Sequence, residues 1–144
     1  RLRALADEAT APPGRIKLRF VHAAPGSAAM DLGLGSGASF DPFFTGVEYP
    51  GTAKAGGAVD ANGYLTSDPI FPTTSLLVVS IRWSGTAVDA LTASLIFPAP
   101  QGTVASAFAI GVPGSAETPL QLLLCLDNDR PPLSGPIAPC LRAP

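Results

Sequence analysis

Apolar and polar residues alternate along short segments of the chain, and this pattern predicts β-strands. The clearest case is residues 15–22, where three basic side chains alternate with three apolar ones: Arg15, Lys17 and Arg19 against Ile16, Leu18 and Phe20. A period of two sends successive side chains to opposite faces of a sheet, which is typical of a half-buried strand.

Similar apolar segments, separated by Gly- and Pro-containing turns, bring the predicted total to seven or eight short strands. The further segments are 29–34, 40–49, 63–71, 75–84, 87–97, 103–112 and 119–126, of which 63–71 is a weak edge strand because it contains Pro69. No long helical period lies between them. The pattern therefore predicts an all-β fold, an immunoglobulin-like antiparallel β-sandwich.

The length of 144 residues suits one such domain. Residues 1–14 are expected to be a leader or linker that ends at a Pro-Pro-Gly turn, and residues 15–130 form the sandwich domain. Residues 131–144 form a Pro-rich tail. Cys125 and Cys140 are expected to clip this tail to the domain through a disulfide, with two free cysteines in a cytosolic protein as the alternative.

Composition narrows the classes of function. Hydrophobic residues make up 47% and charged residues 14% of the chain, below the roughly 25% charged in an average soluble domain. Either both faces of some strands are covered, or a partner covers part of the surface. A net charge of −2 without a dominant basic patch argues against nucleic acid, and no apolar run reaches the roughly 18 residues of a membrane span. Because residue 1 is Arg, we expect a processed or excerpted chain.

His22 is the only histidine and the one candidate for a general base. Ser27 and Asp31 lie nearby in sequence, but a Gly-x-Ser-x-Gly nucleophile motif is missing. By alternation His22 shares a face with Phe20, so we expect a buried or half-buried histidine at a strand end that bonds a turn carbonyl. A hydrolase that uses His22 is kept as an alternative of low weight.

Metal and cofactor sites are not predicted. Asp127, Asn128 and Asp129 offer oxygen ligands for calcium, but they lack the EF-hand pattern and are better explained by an Asx-type turn. One histidine and two distant cysteines do not suit zinc. The glycines at 33, 35 and 37 precede neither Gly-Lys-Ser/Thr nor a helix, so they do not form a phosphate loop. No catalytic, cofactor-binding or metal residue is assigned.

Two surface features have a structural and a functional interpretation. The basic residues Arg15, Lys17 and Arg19 fit a solvated strand face or a charged sheet edge, and alternatively a contact with an acidic polymer. Trp83, Tyr49, Tyr64 and the phenylalanines mostly fit the core of a sandwich, and alternatively a sugar-stacking platform if they are exposed.

Three segments resemble one known family. RFVHAAPGSAAMDLGL at 19–34 is similar to the opening strand pair of the DUF4397 domain, FFTGVEYPG at 43–51 resembles a later segment of it, and 105–129 resembles its closing strands. The chain departs from the family pattern at Pro50, and in the Gly/Ala-rich residues 52–62. The resemblance covers about residues 15–130 and implies a bacterial secreted or cell-surface β-sandwich with no established activity.

Together these observations predict a non-catalytic structural or interaction module of the cell surface or extracellular space. Its partner is expected to be a protein or further copies of itself in a larger assembly. The alternative is a domain that binds a glycan or another envelope polymer.

Overall fold

The computed structural model describes residues 5–70, 76–97, 99–128 and 140–143. In this part of the chain ten strands form two sheets, and the predicted all-β, immunoglobulin-like sandwich is confirmed. The strands are β1 (Ile16–His22), β2 (Met30–Leu34), β3 (Asp41–Val47), β4 (Gly51–Thr52), β5 (Tyr64–Ser67), β6 (Leu77–Trp83), β7 (Asp89–Leu95), β8 (Val104–Ile110), β9 (Gln121–Leu126) and β10 (Cys140–Ala143).

The first sheet has the order β10-β9-β8-β1-β4, and β5 pairs with the N-terminal half of β1 on the same side as β4. Its ladders are antiparallel except for the parallel pair of β1 and β8. The second sheet has the order β3-β2-β6-β7 and is antiparallel throughout. Strand β1 therefore lies inside its sheet, with neighbours on both sides.

The core lies between the two sheets. Three alanines of β8 face inward in register with β1, and their small size leaves room for the bulkier side chains of the opposite sheet. The buried cluster comprises Phe20, Ala24, Met30, Leu32, Phe44, Val47, Ile81, Ala93, Ala107, Ala109 and Leu122. An apolar cavity of about 60 Å³ remains beside this cluster, lined by leucines that include Leu18, Leu34 and Leu95.

Two strands lie where the sequence predicts none. Strand β4 lies at the start of the Gly/Ala-rich segment and pairs with the end of β1. Gly63 allows the chain to approach β4 closely, because its φ is +83° and a Cβ at this position would collide with Thr52. Strand β10 falls in the predicted tail and pairs with β9. Neither strand has enough residues to show a period-two pattern.

The prediction of a solvated basic face on β1 is wrong for two of its three residues. Arg15 is exposed, but Lys17 is largely buried and Arg19 is fully buried. Alternation correctly places the three side chains on one face. It does not show that residues 5–11 of the predicted leader cross that face and cover it.

The structure contains the predicted disulfide between Cys125 and Cys140. The two residues are directly opposed in the antiparallel β9–β10 ladder, so the bridge fixes the register of the last described strand. Within the described residues, no helix has the length and apolar character needed to cross a membrane.

Replacing both cysteines with serine is expected to lower the free energy of unfolding by about 3 kcal/mol. The reason is that the bridge closes a loop of 15 residues in the unfolded chain. Urea unfolding followed by circular dichroism measures the change. The unsubstituted protein under reducing conditions is the control and should match the variant. An unchanged midpoint would contradict the expectation.

Candidate functional site

The topology gathers four loops at one end of the sandwich. Strands β1, β3, β6 and β8 end there, as the pairing of Met30 with both Val47 and Trp83 shows. We call this surface the loop end and define it by residues 23–29, 48–50, 84–88 and 111–120. Loops held by a rigid sandwich are the usual place for binding surfaces.

The loop end exposes three large apolar side chains on three different loops. Tyr49 is 45% exposed, Val88 is 58% exposed and Val112 is 39% exposed. Single exposed apolar residues are ordinary, whereas a contiguous apolar patch is typical of a contact site. Leu76 and Ile96, which are also exposed, adjoin residues outside the described part of the chain, and Leu141 lies on the edge strand β10.

An open groove of about 520 Å³ runs beside Trp83 at this end. Trp83 is half-buried, so part of its indole ring remains available to a ligand. Asp89 and Ala90 line the groove from the second sheet, while Pro113–Ala116, Pro119 and Leu120 line it from the 111–120 loop. Gly111 sets the course of that loop, because its φ is +88° and a Cβ there would collide with the Pro119 carbonyl.

A second, more polar pocket of about 300 Å³ lies beside Tyr49. Glu48 and Lys54, which form an ion pair of 3.6 Å, contribute to its lining together with Thr52. The Tyr49 ring also stands edge-on to the imidazole of His22, with 5.7 Å between the ring centres. The loop end therefore offers an aromatic residue beside each of two concave surfaces.

His22 is buried at the end of β1 and bonds a turn carbonyl, as the sequence predicts. Its Nδ1 accepts a hydrogen bond from the Ala24 N–H at 3.3 Å, so this nitrogen carries no proton. The proton of the neutral ring is on Nε2, which donates to the Ala28 carbonyl at 3.0 Å. Burial lowers the pKa of His22, which keeps the ring neutral near pH 7.

This tautomer does not suit His22 to activate a nucleophile. The Ser27 hydroxyl lies 3.2 Å from Nε2, the nitrogen that already carries the proton, and donates instead to the Ala24 carbonyl at 2.6 Å. Asp31 lies between the inward-facing Met30 and Leu32 and therefore projects from the opposite face of β2, where it accepts the Gly46 N–H at 2.7 Å. The structure brings Ser27 to His22 but does not bring Asp31 to either of them.

A cluster that sequence analysis missed lies on the outer face of the first sheet. We call Arg19, Tyr64, Ser106 and Asp127 the Arg19 cluster. The guanidinium lies 4.4 Å from the centre of the Tyr64 ring, and its Nε donates to Ser106 at 2.9 Å. The Asp127 carboxylate accepts the Ser106 hydroxyl at 2.5 Å and the Tyr64 hydroxyl at 2.7 Å. Burial, together with the Asp127 carboxylate, raises the pKa of Tyr64 to about 12.

Asp127 and Asn128, the candidate calcium ligands, are both engaged in structural hydrogen bonds. Asn128 accepts the Val104 N–H at 3.2 Å and donates to the Gly102 carbonyl at 2.7 Å. Asp129 lies outside the described residues. Among the residues that the structure describes, no group of three or more His, Cys, Asp or Glu side chains is arranged to hold a metal ion.

The aromatic residues divide between the core and the loop end. Tyr64 is completely buried in the Arg19 cluster and does not provide a stacking surface. Phe20 and Phe44 pack against each other in the core, with ring centres 6.2 Å apart. Tyr49 and Trp83 are the two members of the predicted aromatic set that reach the surface at the loop end.

Comparisons with known proteins give no family: no family model, curated protein or solved structure matches the chain.

The folded protein is expected to lose stability as the pH falls below about 6.5, the ordinary pKa of histidine. Because the pKa of His22 is lowered in the folded state, the unfolded chain binds the proton more readily between the two values. The free energy of unfolding is therefore unaffected by His22 above pH 6.5. It decreases as the pH falls from 6.5 toward the folded-state pKa of His22. Urea unfolding at pH values from 7.5 to 5 measures it.

His22→Gln should remove this part of the pH dependence. Ser27→Ala keeps the imidazole and is the matched control, so it should retain the slope of the unsubstituted protein. Equal slopes for His22→Gln and the unsubstituted protein would contradict the assignment.

Proposed function

We propose that this protein is a non-catalytic interaction module of the cell surface or extracellular space that contacts a protein partner through its loop end. The observation that carries the proposal is the exposure of Tyr49, Val88 and Val112 on three separate loops at one end of the sandwich. Removing apolar side chains of this size from water is the main source of favourable free energy in protein association.

The second support is the contrast between the loop end and the polar groups elsewhere. In the described part of the chain, every buried polar side-chain atom has a hydrogen-bond partner. The charged groups of the Arg19 cluster are therefore already satisfied within the fold. The loop end differs because its three exposed apolar side chains gain from a partner.

The proposed location outside the cytoplasm is supported by the disulfide. Bridges of this kind form and persist in oxidising compartments and are rare in the cytosol. The resemblance to the DUF4397 family points the same way, since it implies a bacterial secreted or cell-surface domain. The absence of catalysis is supported by the tautomer of His22, which places the ring proton on the nitrogen that faces Ser27.

The triple variant Tyr49→Ser, Val88→Asp, Val112→Asp is expected to lose partner binding by at least about tenfold, because charges replace apolar contacts. Immobilised full-length protein is exposed to a cell-surface extract of the source organism, and retained proteins are quantified by mass spectrometry. The strongest hit is then purified and titrated against each form.

The matched control is Leu141→Asp, which places a charge on an exposed residue of β10, away from the loop end. It should retain the partner. Equal binding by the triple variant, or no enriched partner for the unsubstituted protein, would contradict the proposal. Light scattering on the same three proteins tests whether the partner is a second copy.

A specific observation favours glycan binding as the second candidate function. The groove beside Trp83 combines a half-buried indole with two prolines. An aromatic ring stacks on the apolar face of a sugar. Tyr64, which is buried, cannot take part.

If this second function holds, a glycan array yields a hit, and titration with that oligosaccharide changes the fluorescence of Trp83, the only tryptophan in the chain. Trp83→Leu should weaken binding at least about tenfold, as judged by calorimetry. Tyr49→Leu is the control from a different loop and should leave the affinity unchanged. An array without hits removes the candidate.

A further inference from the structure

Residues 5–11 cross the outer face of the first sheet, and we call them the strap. The strap is held by side chains: Lys17 donates to the Glu8 carboxylate, Asn62 donates to the same carboxylate at 3.1 Å, and Arg19 donates to Asp7. In the described part of the chain, the strap forms no backbone ladder with the sheet. The Asp7 side chain remains 64% exposed. The strap therefore resembles a peptide ligand bound to a sheet whose strand pairing does not include it.

The surface under the strap is organised by groups that do not belong to the strap. Ser106 and the Tyr64 ring fix the Arg19 guanidinium, and Asp60 accepts from Lys17 at 2.9 Å. Although burial alone would lower the pKa of Lys17, the carboxylates of Glu8 and Asp60 raise it, so the amine stays charged.

The donors that bond the strap determine which kind of peptide this surface binds. Arg19 Nη1 donates to the Ala6 carbonyl at 2.9 Å, while Nη2 donates to the adjacent Asp7 carboxylate. The Lys17 amine donates to the carboxylate of the next residue, Glu8. The surface thus binds a peptide segment with two successive acidic residues. Removing the peptide takes one carboxylate from Arg19, which keeps Asp127 at 3.8 Å, and one from Lys17, so exchange for an equivalent peptide costs less than removal.

The strap is joined to β1 by Pro12, Pro13 and Gly14. This connection folds back through a hydrogen bond from the Arg15 N–H to the Pro12 carbonyl. Fully extended, seven strap residues span roughly 24 Å, which is enough to reach a neighbouring molecule.

From these observations we infer that the strap is an exchangeable element, which docks on the Lys17–Arg19 surface of a second copy of this chain when copies are crowded together. The strap has the same sequence whether it docks on its own chain or on a second copy. The exchanged form therefore has the same contacts as the unexchanged form and differs from it only in connectivity. Docking within one chain benefits from an effective concentration in the millimolar range, so exchange between copies becomes appreciable only near that concentration.

Isotope-mixed crosslinking of the full-length protein tests the inference. Unlabelled and ¹⁵N-labelled protein are mixed in equal amounts and incubated at concentrations from micromolar to millimolar. They are then treated with a carbodiimide, which condenses a carboxylate and an amine in contact into an amide. Tryptic peptides that link Glu8 to Lys17 are sorted by mass into same-isotope and mixed-isotope pairs.

The expected result is a mixed-isotope fraction of the Glu8–Lys17 link that rises with concentration toward one half. The Lys17–Asp60 link is the internal control, since both residues belong to the folded domain, and it should remain same-isotope throughout. Only same-isotope Glu8–Lys17 links at every concentration would overturn the inference. So would the absence of that link, or mixed isotopes in both links, which indicates nonspecific aggregation.

The strap surface and the loop end lie on different parts of the sandwich, so the two tests are independent. The triple loop-end variant keeps both the strap and its receiving surface. It should therefore give the same mixed-isotope fraction as the unsubstituted protein, whether or not the loop end binds a partner.

Discussion

Arg19 imposes the strongest constraint on the first sheet, because its guanidinium is charged, fully buried and located on a strand with neighbours on both sides. A buried cation has to be met by acceptors and by an opposite charge. Ser106 comes from β8, Tyr64 from β5 and Asp127 from the end of β9, while Ala6 and Asp7 come from the strap. One side chain thus links four segments that are far apart in sequence. Any rearrangement that moves one of these segments leaves a buried charge without its partners.

The second sheet has a similar arrangement at its surface. Arg82 lies 4.1 Å above the Phe40 ring, donates to Asp89 across the β6–β7 pair and donates to the Gly37 carbonyl. The Gly37 N–H and the Arg82 guanidinium lower the pKa of Asp89 below its ordinary value. Each sheet therefore anchors a loop or a terminal segment on its outer face with an arginine that stacks on an aromatic ring. The loop end, by contrast, is held by turns and leaves its apolar side chains exposed.

The strands were largely predictable because their signal is local. All eight segments chosen from period-two patterns and Gly/Pro turns contain strands, including the weak edge segment at 63–71. The alternation also placed His22 on the same face as Phe20 and so predicted its burial. Strands β4 and β10 were missed, since pairing alone defines them. The solvated basic face was predicted wrongly because alternation shows which residues share a face but not what covers it.

The candidate site was less accessible from the sequence. No local sequence pattern distinguishes Tyr64 from Tyr49 and Trp83. The topology nevertheless buries Tyr64 in the Arg19 cluster and leaves the other two at the loop end. That outcome depends on strand order and on one parallel pair, which no local pattern encodes. The Arg19 cluster itself joins residues as far apart as 19 and 106. A basic residue placed between apolar neighbours on a central strand was the one available signal that an acidic partner had to exist.

The cysteine pair has a consequence for survival in a protease-rich environment. Because Cys125 and Cys140 face each other across adjacent strands, a single cut anywhere between them leaves the severed end covalently attached and still seated in its ladder. Damage to that stretch would therefore show up as a nicked but intact particle, which dissociates only after reduction.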